Sequence, residues 1–152
     1  LTGDGSNRIE ILTGIGALGI GDYEFALDGG PYQDSPIFED VPPGIHQVSV
    51  RDKNGCGTKS VAASVIGYPL YFTPNGNGQD DNWHVLGVNG IFQSQSLIYI
   101  FDRHGRLLAQ IKTNGPGWDG TYNGTPMPAD DYWFRVGLED GRTFTGHFSL
   151  IR

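Results

Sequence analysis

The sequence predicts an all-β protein, organised as two small antiparallel β-sandwiches in tandem. Three observations carry that expectation. Glycine and proline are frequent, at 24 and 9 of 152 residues, and they cluster where turns are needed. Aromatic residues reach 12 %, enough apolar surface to fill cores, so the turn-rich composition does not mean disorder. Apolar and polar residues alternate in short runs, and no extended helical periodicity is present.

Taken in order, residues 9–13 (IEILT) open a first strand. Residues 23–27 (YEFAL) alternate and break at Asp28-Gly29-Gly30-Pro31, a strong turn cluster. Ile37-Phe38 leads to a second breaker, Pro42-Pro43-Gly44, after which residues 45–50 (IHQVSV) alternate with period two. Asp52-Lys53-Asn54-Gly55 supplies an Asn-Gly hairpin turn, and a further strand lies within residues 59–66. Gly67-Tyr68-Pro69 marks the junction, giving expected domains of 1–67 and 68–152. Beyond it, residues 70–72 form a short strand that stops at Thr73-Pro74, before the polar loop 75–82. Strand signals resume at 97–101, 107–111, 132–137 and 144–150, separated by Gly-, Pro- and Asp-containing turns.

Charge and hydropathy narrow the function. The chain carries 10 basic and 17 acidic residues, a net charge of −7, with no Lys/Arg-rich run, which argues against nucleic-acid binding. No apolar stretch approaches the roughly 20 residues that cross a bilayer as a helix, so no transmembrane segment is expected. The opening Leu1-Thr2-Gly3-Asp4-Gly5 lacks an initiator Met, a basic region or an apolar segment, and reads as part of a longer polypeptide. One cysteine, Cys56, cannot close an intramolecular disulfide.

No catalytic constellation emerges, and the expectation is that the protein is not an enzyme. The histidines at 46, 84, 104 and 147 have no metal-ligand spacing. His46 is read as a solvated side chain on the polar face of its strand. Asp130-Asp131 follows a turn and reads as a solvated pair, since adjacent strand residues point oppositely. Cys56 has no evident base and reads as inert. In the loop 75–82, Asn75, Asn77, Gln79 and Asp81 alternate like the first ligands of a calcium loop, with Gly76 and Gly78 permitting a tight path. The alternative is a hydrogen-bonded Asx-turn loop that holds the first strand of the domain. Trp118 and Trp133 raise a glycan-stacking platform, against core or rim packing.

The second half also carries motifs that occur together in one family. Tyr68-Pro69-Leu70-Tyr71-Phe72-Thr73-Pro74-Asn75-Gly76-Asn77-Gly78, followed by Asp80-Asp81-Asn82-Trp83, resembles the opening of the type B C-terminal domain of type IX secretion cargo, the gliding-motility-associated C-terminal domain of Bacteroidota surface proteins. Ile98-Tyr99-Ile100-Phe101-Asp102-Arg103-His104-Gly105 resembles its central strand and turn. Gly117-Trp118-Asp119-Gly120-Thr121-Tyr122-Asn123-Gly124 resembles its GWDGxxNG turn, and the segments 126–134 and 143–152 resemble its closing strands. Asn77 departs from the family's PNGDG, which removes one anionic ligand from the calcium reading. In the first half, the segments 23–30, 38–41 and 43–56 resemble the SprB-type adhesin repeat of gliding bacteria, which implies immunoglobulin-like sandwich domains.

What the resemblance implies is an address. Such a domain directs a cell-surface or secreted protein across the outer membrane, from the periplasm to the surface or medium, through the type IX translocon and a PorP/SprF-type outer-membrane partner. The preceding repeat would be the last module of an adhesin stalk. Arg103, Arg106, Arg142 and Arg152 stand out on an acidic chain as candidate recognition donors. A second reading, an adhesin tip that binds glycan through exposed aromatics, remains beside it.

Overall fold

A computed structural model describes residues 7–13, 18, 21–55, 57–89 and 91–152, so Cys56 and the opening residues 1–5 lie outside the described residues. Every regular element among the described residues is a β-strand. The chain divides into two compact units, Thr2–Val65 and Ile66–Arg152.

The first unit contains β1 (Ile9–Glu10), β2 (Tyr23–Leu27), β3 (Ile37–Phe38), β4 (Gly44–Asp52) and β5 (Thr58–Val65). An antiparallel sheet of order β2-β4-β5 accompanies an antiparallel β1–β3 pair. Among its described residues, Phe25, Ala26, Val41, Val48 and Val65 are buried and apolar. β1 is shorter than residues 9–13 because its partner is short: Pro36, opposite Ile11, has no N–H to extend the ladder. The β4–β5 connection is also longer than an Asn-Gly turn. The Gly55 N–H bonds the Asp52 carbonyl at 3.0 Å, and only Gly55, not Asn54, has the positive φ that a two-residue turn of that type needs at both centres.

The side-chain parity of β4 corrects the reading of His46. Ile45 and Gln47 face outward, whereas His46 and Val48 are buried. His46 shares its parity with Val48 and Val50, so period two places it on the core face.

The second unit contains β6 (Tyr71–Phe72), β7 (Leu97–Phe101), β8 (Leu107–Lys112), β9 (Thr121–Tyr122), β10 (Thr125–Pro126), β11 (Asp130–Gly137) and β12 (Thr143–Leu150). Five of these form one sheet of order β6-β12-β11-β7-β8. Its pairs are antiparallel except β6 with β12, which run parallel. A parallel pair needs a long crossover, and almost the whole unit separates β6 from β12 in sequence.

Tyr132, Phe134 and Val136 on β11, Ile98 and Ile100 on β7, and Phe148 and Leu150 on β12 bury the inner face of that sheet. The segments carrying Trp83, Val85 and Trp118 pack against it as a second layer, joined by a Trp83–Trp118 bridge. Trp83 is wholly buried and stacks on Phe148 at 4.0 Å and 13°, while its Nε1–H is satisfied by the Pro69 carbonyl at 2.9 Å. β9 and β10 form a tight hairpin across Asn123-Gly124, whose φ values of 50° and 76° are those of a type I′ turn.

Candidate functional site

The turn before β9 is drawn against the core by sterics that only glycine satisfies. Gly117 has φ 91°, and a Cβ there would lie 2.6 Å from the Trp83 carbonyl oxygen; Gly120 has φ 77°, and a Cβ there would lie 2.8 Å from Leu150 Cδ1. Between them Trp118 turns inward, only 3 % exposed, with Nε1–H donating to the Thr121 carbonyl at 2.8 Å. Asp119 Oδ1 accepts from the Thr121 N–H and hydroxyl at 3.0 and 2.8 Å, closing the turn.

Three of the four candidate arginines surround this segment. Arg152 donates from Nε to the Met127 carbonyl at 2.9 Å and from Nη2 to the Gly120 carbonyl at 3.3 Å. Arg103 pairs with Asp130, the first residue of β11. Arg106 lies 4.9 Å from the Tyr122 ring centroid and pairs with Asp102 at 3.2 Å. The β7–β8 turn is itself fixed, because Asp102 Oδ1 accepts the N–H groups of His104 and Arg106, each at 2.9 Å. These N–H bonds, that of Arg106 foremost, hold the Asp102 carboxyl below its usual range. Asp130 is lowered likewise, first by the Asp131 N–H and then by Arg103.

Arg142 stands apart. It sits in the β11–β12 turn, at the opposite end of those strands from Asp130 and Leu150, paired with Asp140 at 2.6 Å and lying over Phe144. The Asp140 carboxylate raises its pKa. Asp130 and Asp131 diverge as strand neighbours do, Asp130 toward Arg103 and Asp131 to the Ser149 hydroxyl at 2.6 Å.

The loop 75–82 is organised around one carboxylate. Asp81 Oδ1 accepts the N–H groups of Asn75 and Gly76 at 2.9 and 2.6 Å, and Oδ2 accepts that of Gly78 at 2.7 Å. Asn75 Oδ1 takes the Asn77 N–H, and Asn77 Oδ1 takes that of Gln79. The Gly76 and Gly78 N–H groups are the main cause of the lowered Asp81 pKa. Among the candidate calcium ligands, then, the one charged group and both Asn oxygens already accept bonds from the loop's own backbone. A hard cation taking six to eight oxygens is poorly served by this set. Among the described residues, no group of three or more His, Cys, Asp or Glu side chains gathers as a metal site.

The two tryptophans of the glycan platform part company. Trp118 is core, which decides for packing over the glycan platform: it faces Tyr132 and Phe148 and offers no face to a sugar. Trp133 points outward, 42 % exposed, and its neighbour Tyr132 points inward with its hydroxyl on the Pro128 carbonyl. Two arrangements escaped the sequence reading: the His46–Asp28 pair, and Arg135 stacked 5.6 Å from Tyr99 on the outer sheet face. Period-two parity within β4 and β11 finds the faces on which His46 and Arg135 lie, though not their partners.

The family model of the CHU_C Type IX secretion signal domain matches residues 66–150, a span that contains the turn before β9, the loop 75–82 and Arg103, Arg106 and Arg142. The chain belongs to the CHU_C Type IX secretion signal domain family. As a CHU_C domain it is a type IX secretion signal, which implies interaction with that machinery and export to the cell surface or extracellular medium. The family points to an addressing role, not to catalysis. No curated protein matches the chain. Among solved structures, the BSP domain of a biofilm associated protein is similar at 12 % identity and a TM-score of 0.35, covering 84 % of this chain and 24 % of that one. Tp47, the 47-kilodalton lipoprotein of Treponema pallidum, is similar at 9 % identity and a TM-score of 0.34, covering 86 % of this chain and 39 % of that one. The chain spans well under half the length of either.

Proposed function

We propose that Ile66–Arg152 is the address read by the type IX translocon with a PorP/SprF-type outer-membrane partner, and that Thr2–Val65 is an adhesin-stalk repeat carried with it. The observation that supports a folded address is the pinning of Arg152 to the Gly120 and Met127 carbonyls, beside Arg103 on Asp130 and Arg106 on Tyr122. A partner that reads a folded domain needs donors at fixed positions, because ordering mobile side chains costs affinity. Guanidinium groups suit such a role: they remain charged and bind carboxylates in a forked geometry. Arg142, at the far end of β11 and β12, falls outside this surface. The loop 75–82 serves as a structural clasp, closed by its own N–H groups on the Asp81 carboxylate.

The test is a fluorescent reporter with a periplasmic export signal, fused to residues 66–152 in a host with this machinery. Export to the surface or medium is expected, falling at least several-fold when Arg103 and Arg152 are both changed to Glu and little with Arg142→Glu. Periplasmic retention of the unmutated fusion, folded and beside an exported full-length control, would overturn the reading.

A further inference from the structure

The outer face of the five-stranded sheet is unlike the surface of a passive scaffold. Registered pairing lines up His147, Trp133, Phe101 and Leu107 across β12, β11, β7 and β8. In the next row Arg135 pairs with Tyr99, its guanidinium 5.6 Å from the ring centroid. Trp133 is 42 % exposed, and the His147 ring centroid lies 6.4 Å from that of Trp133. Among the described residues no carboxylate stands within ion-pair distance of Arg135, whereas Arg103, Arg106 and Arg142 each have one. Trp133 and Arg135 are two residues apart on one face, about 6.6 Å along the strand, a distance that a single sugar ring bridges.

From this we infer that the outer face around Trp133 and Arg135 is a binding site for a carboxylate-bearing polysaccharide. The apolar C–H face of a uronate ring stacks on the indole, and its carboxylate meets the guanidinium in a forked pair. Charge complementarity favours an anionic ligand over a neutral one. Arg135 and Lys112 both face outward here and outweigh the single carboxylate of Asp131 on the same face, which also accepts the Ser149 hydroxyl. The chain's net charge of −7 opposes a polyanion at long range, but at 0.1 M salt that repulsion is screened beyond about 10 Å. The local pair then decides binding. This site is separate from the cationic end at Arg103 and Arg152, and it does not depend on the secretion reading.

The experiment is calorimetry and tryptophan fluorescence of residues 1–152 with polygalacturonate at 0.1 M salt, with neutral dextran in parallel. Trp83 and Trp118 are buried, so a change in emission reports on Trp133. Binding of polygalacturonate and not of dextran is expected, abolished by Trp133→Ala. Arg135→Gln should weaken binding at least about tenfold, equivalent to roughly 1.4 kcal/mol. Circular dichroism melts of both variants, expected to match the unmutated protein, guard against misfolding. No heat with polygalacturonate would overturn the inference, and so would equal affinity of the folded Trp133→Ala variant. Binding of dextran as tightly as polygalacturonate would overturn the assignment to an anionic sugar. If neither polysaccharide binds but Trp133→Ala alone blocks export of the reporter, the face belongs to a protein partner and the inference fails.

Discussion

His46 and Asp28 form a partly buried ionic clasp in the first unit: Nδ1 of the imidazole lies 2.6 Å from Oδ2 of the carboxylate. The other ring nitrogen faces the Pro42 carbonyl at 2.7 Å. A carbonyl oxygen and a carboxylate both accept, so the ring satisfies the two only as the doubly protonated imidazolium. Asp28 is fixed in turn by the Gln47 N–H on Oδ1 at 2.8 Å. The clasp thus ties the turn after β2 to the inner face of β4.

The first prediction is a pH dependence of that unit's stability. Burial pushes the His46 pKa down, but the hydrogen bonds to Asp28 and Pro42 outweigh it and leave the pKa raised. A raised folded pKa means that the folded state holds the proton more tightly than the unfolded chain. The stabilisation is therefore complete below the unfolded value of about 6.5 and is lost as pH rises through the higher folded value. The melting temperature of the first unit should fall on going from pH 6 to pH 9. Asp28→Ala should flatten that fall and cost about 1–2 kcal/mol at pH 6, near the low end for a bond to a charged group because Asp28 is half exposed. A melting temperature unchanged across the range would sink the clasp.

A second prediction concerns the loop 75–82. Its geometry is accounted for by N–H groups converging on Asp81, so millimolar calcium should leave the melting temperature of the second unit unchanged. Chelator should have no effect either. Asp81→Asn should lower that temperature, because the amide replaces one carboxylate acceptor with a donor facing the same N–H groups. The lowered pKa of Asp81 has the opposite sign to that of His46. Its contribution is present above the unfolded value of about 3.9 and disappears as pH falls through the folded value. A calcium-induced rise of several degrees would restore the cation reading.

Much of this was legible in the residues. Strands at 23–27 and 97–101 follow from alternation and flanking turns, and they appear with those limits. Elsewhere the signal lay in the residues but was misread. His46 shares parity with two valines, and parity outranks its polarity. For Trp118, the residues alone leave a stacking platform and core packing both open. Its burial depends on the Gly117 and Gly120 backbones folding its turn onto Trp83 and Leu150, distant contacts in sequence that no local pattern encodes. The parallel pairing of β6 with the end of β12 is non-local in the same way. The arginines illustrate the limit again: four looked equivalent, and only tertiary structure separates Arg142 from the other three.

The last prediction isolates the steric demand of the turn before β9. Gly120 and Gly124 share almost the same backbone, with φ of 77° and 76°. A Cβ at Gly124 meets nothing within 4 Å, whereas one at Gly120 lies 2.8 Å from Leu150 Cδ1 and 3.3 Å from both Phe72 Cζ and Pro74 Cγ. Gly124→Ala should therefore cost only the left-handed backbone penalty, about 1–2 kcal/mol. Gly120→Ala carries that same penalty plus overpacking of about 1–3 kcal/mol, because Leu150 and Phe72 are buried with no open side to retreat into. Denaturant melts of the two variants measure the difference, in which the backbone contribution cancels. Equal destabilisation would mean that Leu150 yields freely. The close fit of the turn against β12, which also sets the Gly120 carbonyl where Arg152 reaches it, would then be looser than the geometry requires.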